Sequence, residues 1–173
     1  MAKVMIVLAA LILGVFSRWL PHPPNFTPVI AIAIFMAMRL QKTWWVAIVP
    51  ILIMFISDSL LGFHSLAPFT YSALGFLALA VHFLPNSGVW GSSGFKVVTT
   101  SLMGSIWFFL ASNTAVWWMT SLYPKNINGL MLSYVAGIPF FHNTLISTVL
   151  FTGLLVALDK WIQRQVTADF VKA

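Results

Sequence analysis

Two stretches of this chain, Ser59 to Phe95 and Asn126 to Leu158, contain no Asp, Glu, Lys or Arg at all. No other feature limits the possible folds as much. Soluble domains carry about 25% charged residues, whereas here the figure is 7%, beside 60% hydrophobic residues in a chain of 173. Water cannot solvate such a surface, so most of it is expected to face lipid. The apolar runs are continuous and lack the alternation of strands, which predicts helices rather than a barrel. Helices also satisfy their backbone hydrogen bonds internally, as hydrocarbon demands. The expected fold class is therefore an all-α integral membrane bundle of about six transmembrane helices, one transmembrane domain over residues 1–173.

Breakers and charges divide the runs. A first span from about Lys3 to Leu20 ends at Pro21-His22-Pro23-Pro24-Asn25, which cannot continue a helix. A second, short span covers Phe26 to Leu40, and Trp44-Trp45 open a third that reaches Leu61. Pro68 starts a fourth span to Leu84, and the loop Pro85–Gly94 leads to a fifth from Phe95 to Leu122. The segment Gly129–Phe141 is too short to cross and holds Pro139, so it is expected to lie over the outer face as a short helix. The last span is Asn143–Ile162, followed by a polar tail from Gln163. With six spans and both termini cytoplasmic, only Arg18 and Lys125 fall outside, a positive-inside bias that a seventh span would spoil. No small-residue cleavage site follows the first apolar run, so a retained helix is expected there rather than a removed signal peptide. The expected location is the bacterial cytoplasmic (inner) membrane, with lipid as a partner.

Several function classes fall away. The net charge of +6 comes from cations scattered singly at the ends of apolar runs, not from a basic stripe, so no nucleic-acid partner is expected. The absence of cysteine removes disulfides, thiolate metal sites and cysteine catalysis. No Ser-His-Asp arrangement, HExxH pair or phosphate-cradling glycine loop occurs, so no enzyme is expected. His22, His64 and His142 match no local metal motif, so neither a metal nor a cofactor is expected.

The polar residues that remain gather at the outward loops. Asp58 is read as the only acidic residue within the apolar region, where a charge costs at least about 2.5–3.5 kcal/mol. Two readings stand: a ligand-contacting carboxylate, or a structural ion pair with Arg18 that braces the first and third spans. Asn113 is either interhelical glue or a ligand contact, since an amide inside a bundle needs a partner. Candidate ligand-binding residues are Asn25, Asp58, His64, Asn113, Trp117, Tyr123, Phe141 and Asn143. The small residues Ala10 and Gly14 allow a close approach to a partner subunit.

The stretches Arg18-Trp19-Leu20-Pro21-His22-Pro23-Pro24-Asn25-Phe26-Thr27-Pro28, Ser57-Asp58 and Leu61-Gly62-Phe63-His64 are distinctive. So are Phe108-Phe109 with Asn113 and Trp117, Tyr123-Pro124, and Ile138-Pro139-Phe140-Phe141-His142-Asn143. Together they resemble a family of small, uncharacterised bacterial membrane proteins over nearly the whole chain. That family is distantly similar to the substrate-binding S components of energy-coupling-factor (ECF) vitamin transporters. The resemblance implies a vitamin-like ligand bound from outside, and an ECF energising module contacted through Ala10 and Gly14 of the first helix. Cobalamin-binding relatives place a cysteine toward cobalt; here a histidine such as His64 would have to substitute. The expected function is a membrane component that binds a small vitamin-like molecule for uptake. The alternative is an accessory structural subunit of a larger membrane complex.

Overall fold

The computed structural model describes residues 2–40, 43–84 and 93–172. Lys42 and most of the Pro85–Gly94 loop, both used in the sequence reading, lie outside the described residues. Among those described there are six helices and no strand: α1 (Ala2–Trp19), α2 (Val29–Arg39), α3 (Thr43–Leu61), α4 (Ala67–His82), α5 (Ser93–Met119) and α6 (Ile127–Lys172).

The short helix is the centre. α2 is apolar on every face, and a helix of that kind must be buried on every face. Every residue from Val29 to Ala37 is buried, and α2 packs against each of the other five helices. Its 11 residues rise about 16 Å, against about 28 Å for the 19 residues of α3. The axis of the bundle is thus filled over only part of its length. Small residues bring the outer helices in. A Cβ on Gly104 of α5 would stand 3.2 Å from Ile34 and Leu77, and Gly75 of α4 comes similarly close to Ile51.

The surface has the polarity of a protein solvated by hydrocarbon. Large apolar side chains such as Leu8, Phe16, Phe55, Phe76, Leu102, Leu150 and Leu154 point outward, while Ser101, Ser105, Thr148 and Thr152 are buried. Three segments, Trp44–Leu61, Gly94–Met119 and Ile127–Gln165, are long and apolar enough to cross a membrane. Met5–Trp19, Val29–Arg39 and Ala67–His82 are apolar but shorter.

The largest departure from the sequence reading concerns α6. Gly129–Phe141 is helical, as expected, but it does not form a separate piece over one face. It runs without a break into the expected last span, and the tail from Gln163 to Lys172 continues the same helix. Residues 120–126 make a tight turn, after which α6 lies antiparallel along α5. Phe109 meets both Tyr134 and Phe141, with ring centroids 6.0 and 5.1 Å apart, and the hydroxyls of Thr114 and Tyr134 are 2.8 Å apart. Packing along α5 holds the helix together through Pro139, whose cost in a bundle is tolerable where neighbours pack around it. Asn126 caps the start of α6: its Oδ1 accepts from Gly129 N–H at 2.9 Å.

Candidate functional site

Where α2 stops short, the bundle is hollow. A cavity of about 540 Å³ lies beyond its N-terminus, with Val29, Ile30, Met54 and Leu74 toward its base. α1 contributes Arg18, the following loop contributes His22, Asn25 and Thr27, and His64 comes from the loop after α3. α5 supplies Phe108, Phe109, Ser112 and Asn113, and α6 supplies Gly137, Phe140, Phe141 and Thr144. The lining mixes polar and apolar groups, and the volume is in the range of small-molecule sites.

The loop that roofs the cavity is held in shape by its own chemistry. Asn25 takes φ 63, a left-handed conformation that asparagine tolerates better than most residues. Phe26 N–H donates to the Pro23 carbonyl at 3.0 Å, closing the turn. Asn143 of α6 donates from Nδ2 to the Pro24 carbonyl at 3.0 Å, and Phe26 packs edge-on against Phe151, so α6 pins the loop at two points.

Behind one wall stands the ion pair. Arg18 Nη1 is 2.7 Å from Asp58 Oδ1, and the same nitrogen reaches Ser57 Oγ and Met54 Sδ. Tyr71 donates its hydroxyl to Asp58 Oδ2 at 2.7 Å, and His64 Nε2 is 3.8 Å from that oxygen. Asp58 is 1% exposed, and these partners take the place of water around its carboxylate. The pair braces α1 against α3, and Tyr71 extends the brace to α4.

Asn113 donates from Nδ2 to the Phe109 carbonyl one turn below, at 2.8 Å, which leaves its Oδ1 without a hydrogen bond among the described residues. A Cβ at position 137 would sit 2.6 Å from that oxygen and 2.8 Å from the Phe109 ring. Gly137 is what lets α6 pass this close to Asn113.

The structure therefore gathers Asn25, His64, Asn113 and Phe141 of the sequence candidates around one cavity, with Arg18 beside them. Asp58 lies behind Arg18, and Asn143 holds the roof loop. Trp117 and Tyr123 are not among the cavity-lining residues. Trp117 donates Nε1–H to the Pro124 carbonyl at 2.9 Å and sits near Lys125, whose ammonium reaches the carbonyls of Trp117 and Thr120. That cation at the carbonyl end of α5 stabilises the helix end and fixes the turn. Ala10 and Gly14 are turned inward. Gly14 lies against Ile53 of α3, so neither residue offers surface to a partner subunit.

The expectation that Asp58 is the only acidic residue in the apolar region is corrected by Asp159. It is buried in α6 and paired with Arg39 at the end of α2. It falls within the expected last span Asn143–Ile162, and the buried row Thr144, Thr148, Thr152 on the same face was the available signal. Sequence reasoning also missed Tyr71 and the cavity residues Thr144 and Phe140. Among the described residues no three His, Asp or Glu side chains come together as a metal site.

A family model described as a family of unknown function (DUF6580) matches residues 1–169. The chain belongs to that family. The match agrees with the expectation of one uncharacterised family covering nearly the whole sequence. No curated protein and no solved structure matches the chain.

Proposed function

We propose that this DUF6580 chain is a six-span inner-membrane protein that binds a small vitamin-like molecule in an outward cavity for uptake. The observation that carries the reading is the cavity of about 540 Å³ at the hollow end of the axis, lined by polar groups together with four phenylalanines. In this reading the Arg18 and Lys125 end faces outward, because seven of nine Lys and Arg residues then lie on the cytoplasmic side. The short α2 serves as half a span. Its N-terminal turn and roof loop sit at membrane depth, where irregular backbone is tolerated only inside protein or along a cavity. The distant similarity to ECF S components supports binding without catalysis and leaves the energising partner to be found.

The test is a screen of purified protein against water-soluble vitamins and their precursors, read by thermal shift and titration calorimetry. One compound is expected to bind at one per chain. Asn113→Ala, which removes the free amide oxygen, is expected to weaken it by about 2–10-fold. A broad screen without a binder overturns the reading.

A second reading, the accessory subunit, draws support from a different place. A groove of about 400 Å³ opens on the flank between α4 and α5, lined by Phe69, Trp107, Leu110 and Trp118. Co-purification in mild detergent as a stable larger assembly, with no ligand bound, favours this alternative.

A further inference from the structure

Among the described residues the cavity lining carries one formal charge, the guanidinium of Arg18. There is no Asp or Glu among the described residues that line it, while Arg18, His22 and His64 are present. The nearby carboxylate of Asp58 is turned away, with one oxygen on Arg18 and the other taking the Tyr71 hydroxyl. Arg18 makes all its polar contacts through Nη1, so its Nε and Nη2 donors are without partners among the described residues. The base of the cavity adds to this. α2 begins at Pro28 with no side-chain cap, and Val29 and Ile30 of its first turn line the space. The unpaired N–H groups and positive end of a helix favour an anion. α5 and α6 add rings to the lining, with Phe108, Phe109, Phe140 and Phe141.

We infer that the cavity selects an amphipathic carboxylate: a single acidic group between Arg18 and the first turn of α2, and an apolar ring body against the phenylalanines. The inference rests on the binding role proposed above and adds the chemical class of its ligand. Arginine suits this geometry because its planar donors remain charged and directional after one edge is committed to Asp58. A single negative charge matches the one guanidinium edge on offer. A cationic ligand would meet no carboxylate among the described lining residues, and a neutral acceptor would take the Arg18 donors with a weaker bond than a carboxylate.

The test is titration calorimetry on the purified wild-type protein with matched ring-bearing acids and amides: nicotinate and nicotinamide, indole-3-acetate and indole-3-acetamide, biotin and biotin amide. At least one acid is expected to bind about tenfold to a hundredfold tighter than its amide. The double variant Arg18→Gln/Asp58→Asn removes both charges together and is expected to bring acid and amide to within about threefold of each other. Amides that bind as well as acids, or a vitamin-screen hit that is neutral or cationic, overturn the inference and leave the binding role standing. A preference that persists in the folded double variant removes Arg18 from the explanation and overturns it as well. Absence of binding by every compound of both sets removes the binding role itself. The acid–amide comparison needs no variant, so it decides even if the double variant does not fold.

Discussion

Among the described residues two carboxylates are buried, each paired with an arginine, and the two ends treat them differently. At one end Asp58 meets Arg18, with Ser57, Tyr71 and His64 around them and a cavity on the arginine's open side. At the other end Asp159 meets Arg39 where α2 closes against α6, and Gln163 donates to the carboxylate at 3.1 Å. No cavity described here touches that second pair. His82 also reaches this end, its Nδ1 3.2 Å from the Ala37 carbonyl. The contrast teaches that a buried ion pair in this fold is first a brace. Beside the Arg18 pair the axis is empty, and the recognition role proposed above depends on that space.

The largest expected effect tests that burial difference. Arg18→Ala leaves Asp58 unpaired in a site 1% exposed, which is expected to cost about 3–5 kcal/mol of stability. Detergent thermal melts should show it, and the double variant Arg18→Gln/Asp58→Asn should recover much of the loss. A loss below about 1 kcal/mol, typical of an exposed pair, would contradict the placement of Asp58.

Next comes Asp159→Asn. Arg39 is 31% exposed and retains water, so the expected loss is smaller, about 1.5–3 kcal/mol, with ligand affinity unchanged. A change in affinity from this end would break the division of roles between the two pairs.

Gly137→Ala places a Cβ against Asn113 and the Phe109 ring and is expected to cost about 1–3 kcal/mol. Gly153→Ala, on the same helix with open space at its Cβ position, is expected to be neutral or stabilising by about 0.5–1 kcal/mol. Melting both variants side by side tests the close approach of α6 to α5 at Gly137. A smaller loss than that of Gly137→Ala is expected for Asn143→Ala, which removes one hydrogen bond from the roof loop at about 0.5–1.5 kcal/mol. Faster amide exchange at Asn25, Phe26 and Thr27 would reveal it.

Much of the scaffold was legible from particular residues. The prolines from Pro21 to Pro28 marked the break between α1 and α2, and Trp44 and Pro68 marked helix starts within a residue or two. The pairing of Arg18 with Asp58 followed from the cost of a lone charge among apolar neighbours. Trp117 was misjudged because nothing local announces that Pro124 and Lys125 turn back onto it. Gly129–Phe141 was misjudged because a proline in an apolar run reads as a break. Whether the run continues depends on what packs beside it, and here that is α5. Asp159 was missed because its burial is created by Arg39, 120 positions away in the chain.

By itself the sequence determined that this chain is helical, suited to lipid, and broken where proline and polar clusters interrupt its apolar runs. Hydropathy is a local property and is sufficient for that. Only the tertiary structure decided that the shortest apolar helix stands at the centre and that the space above it is hollow. An 11-residue helix cannot fill the axis of a bundle whose other helices have 16 to 46 residues. The unfilled length becomes the cavity, and the residues that happen to surround it become the site.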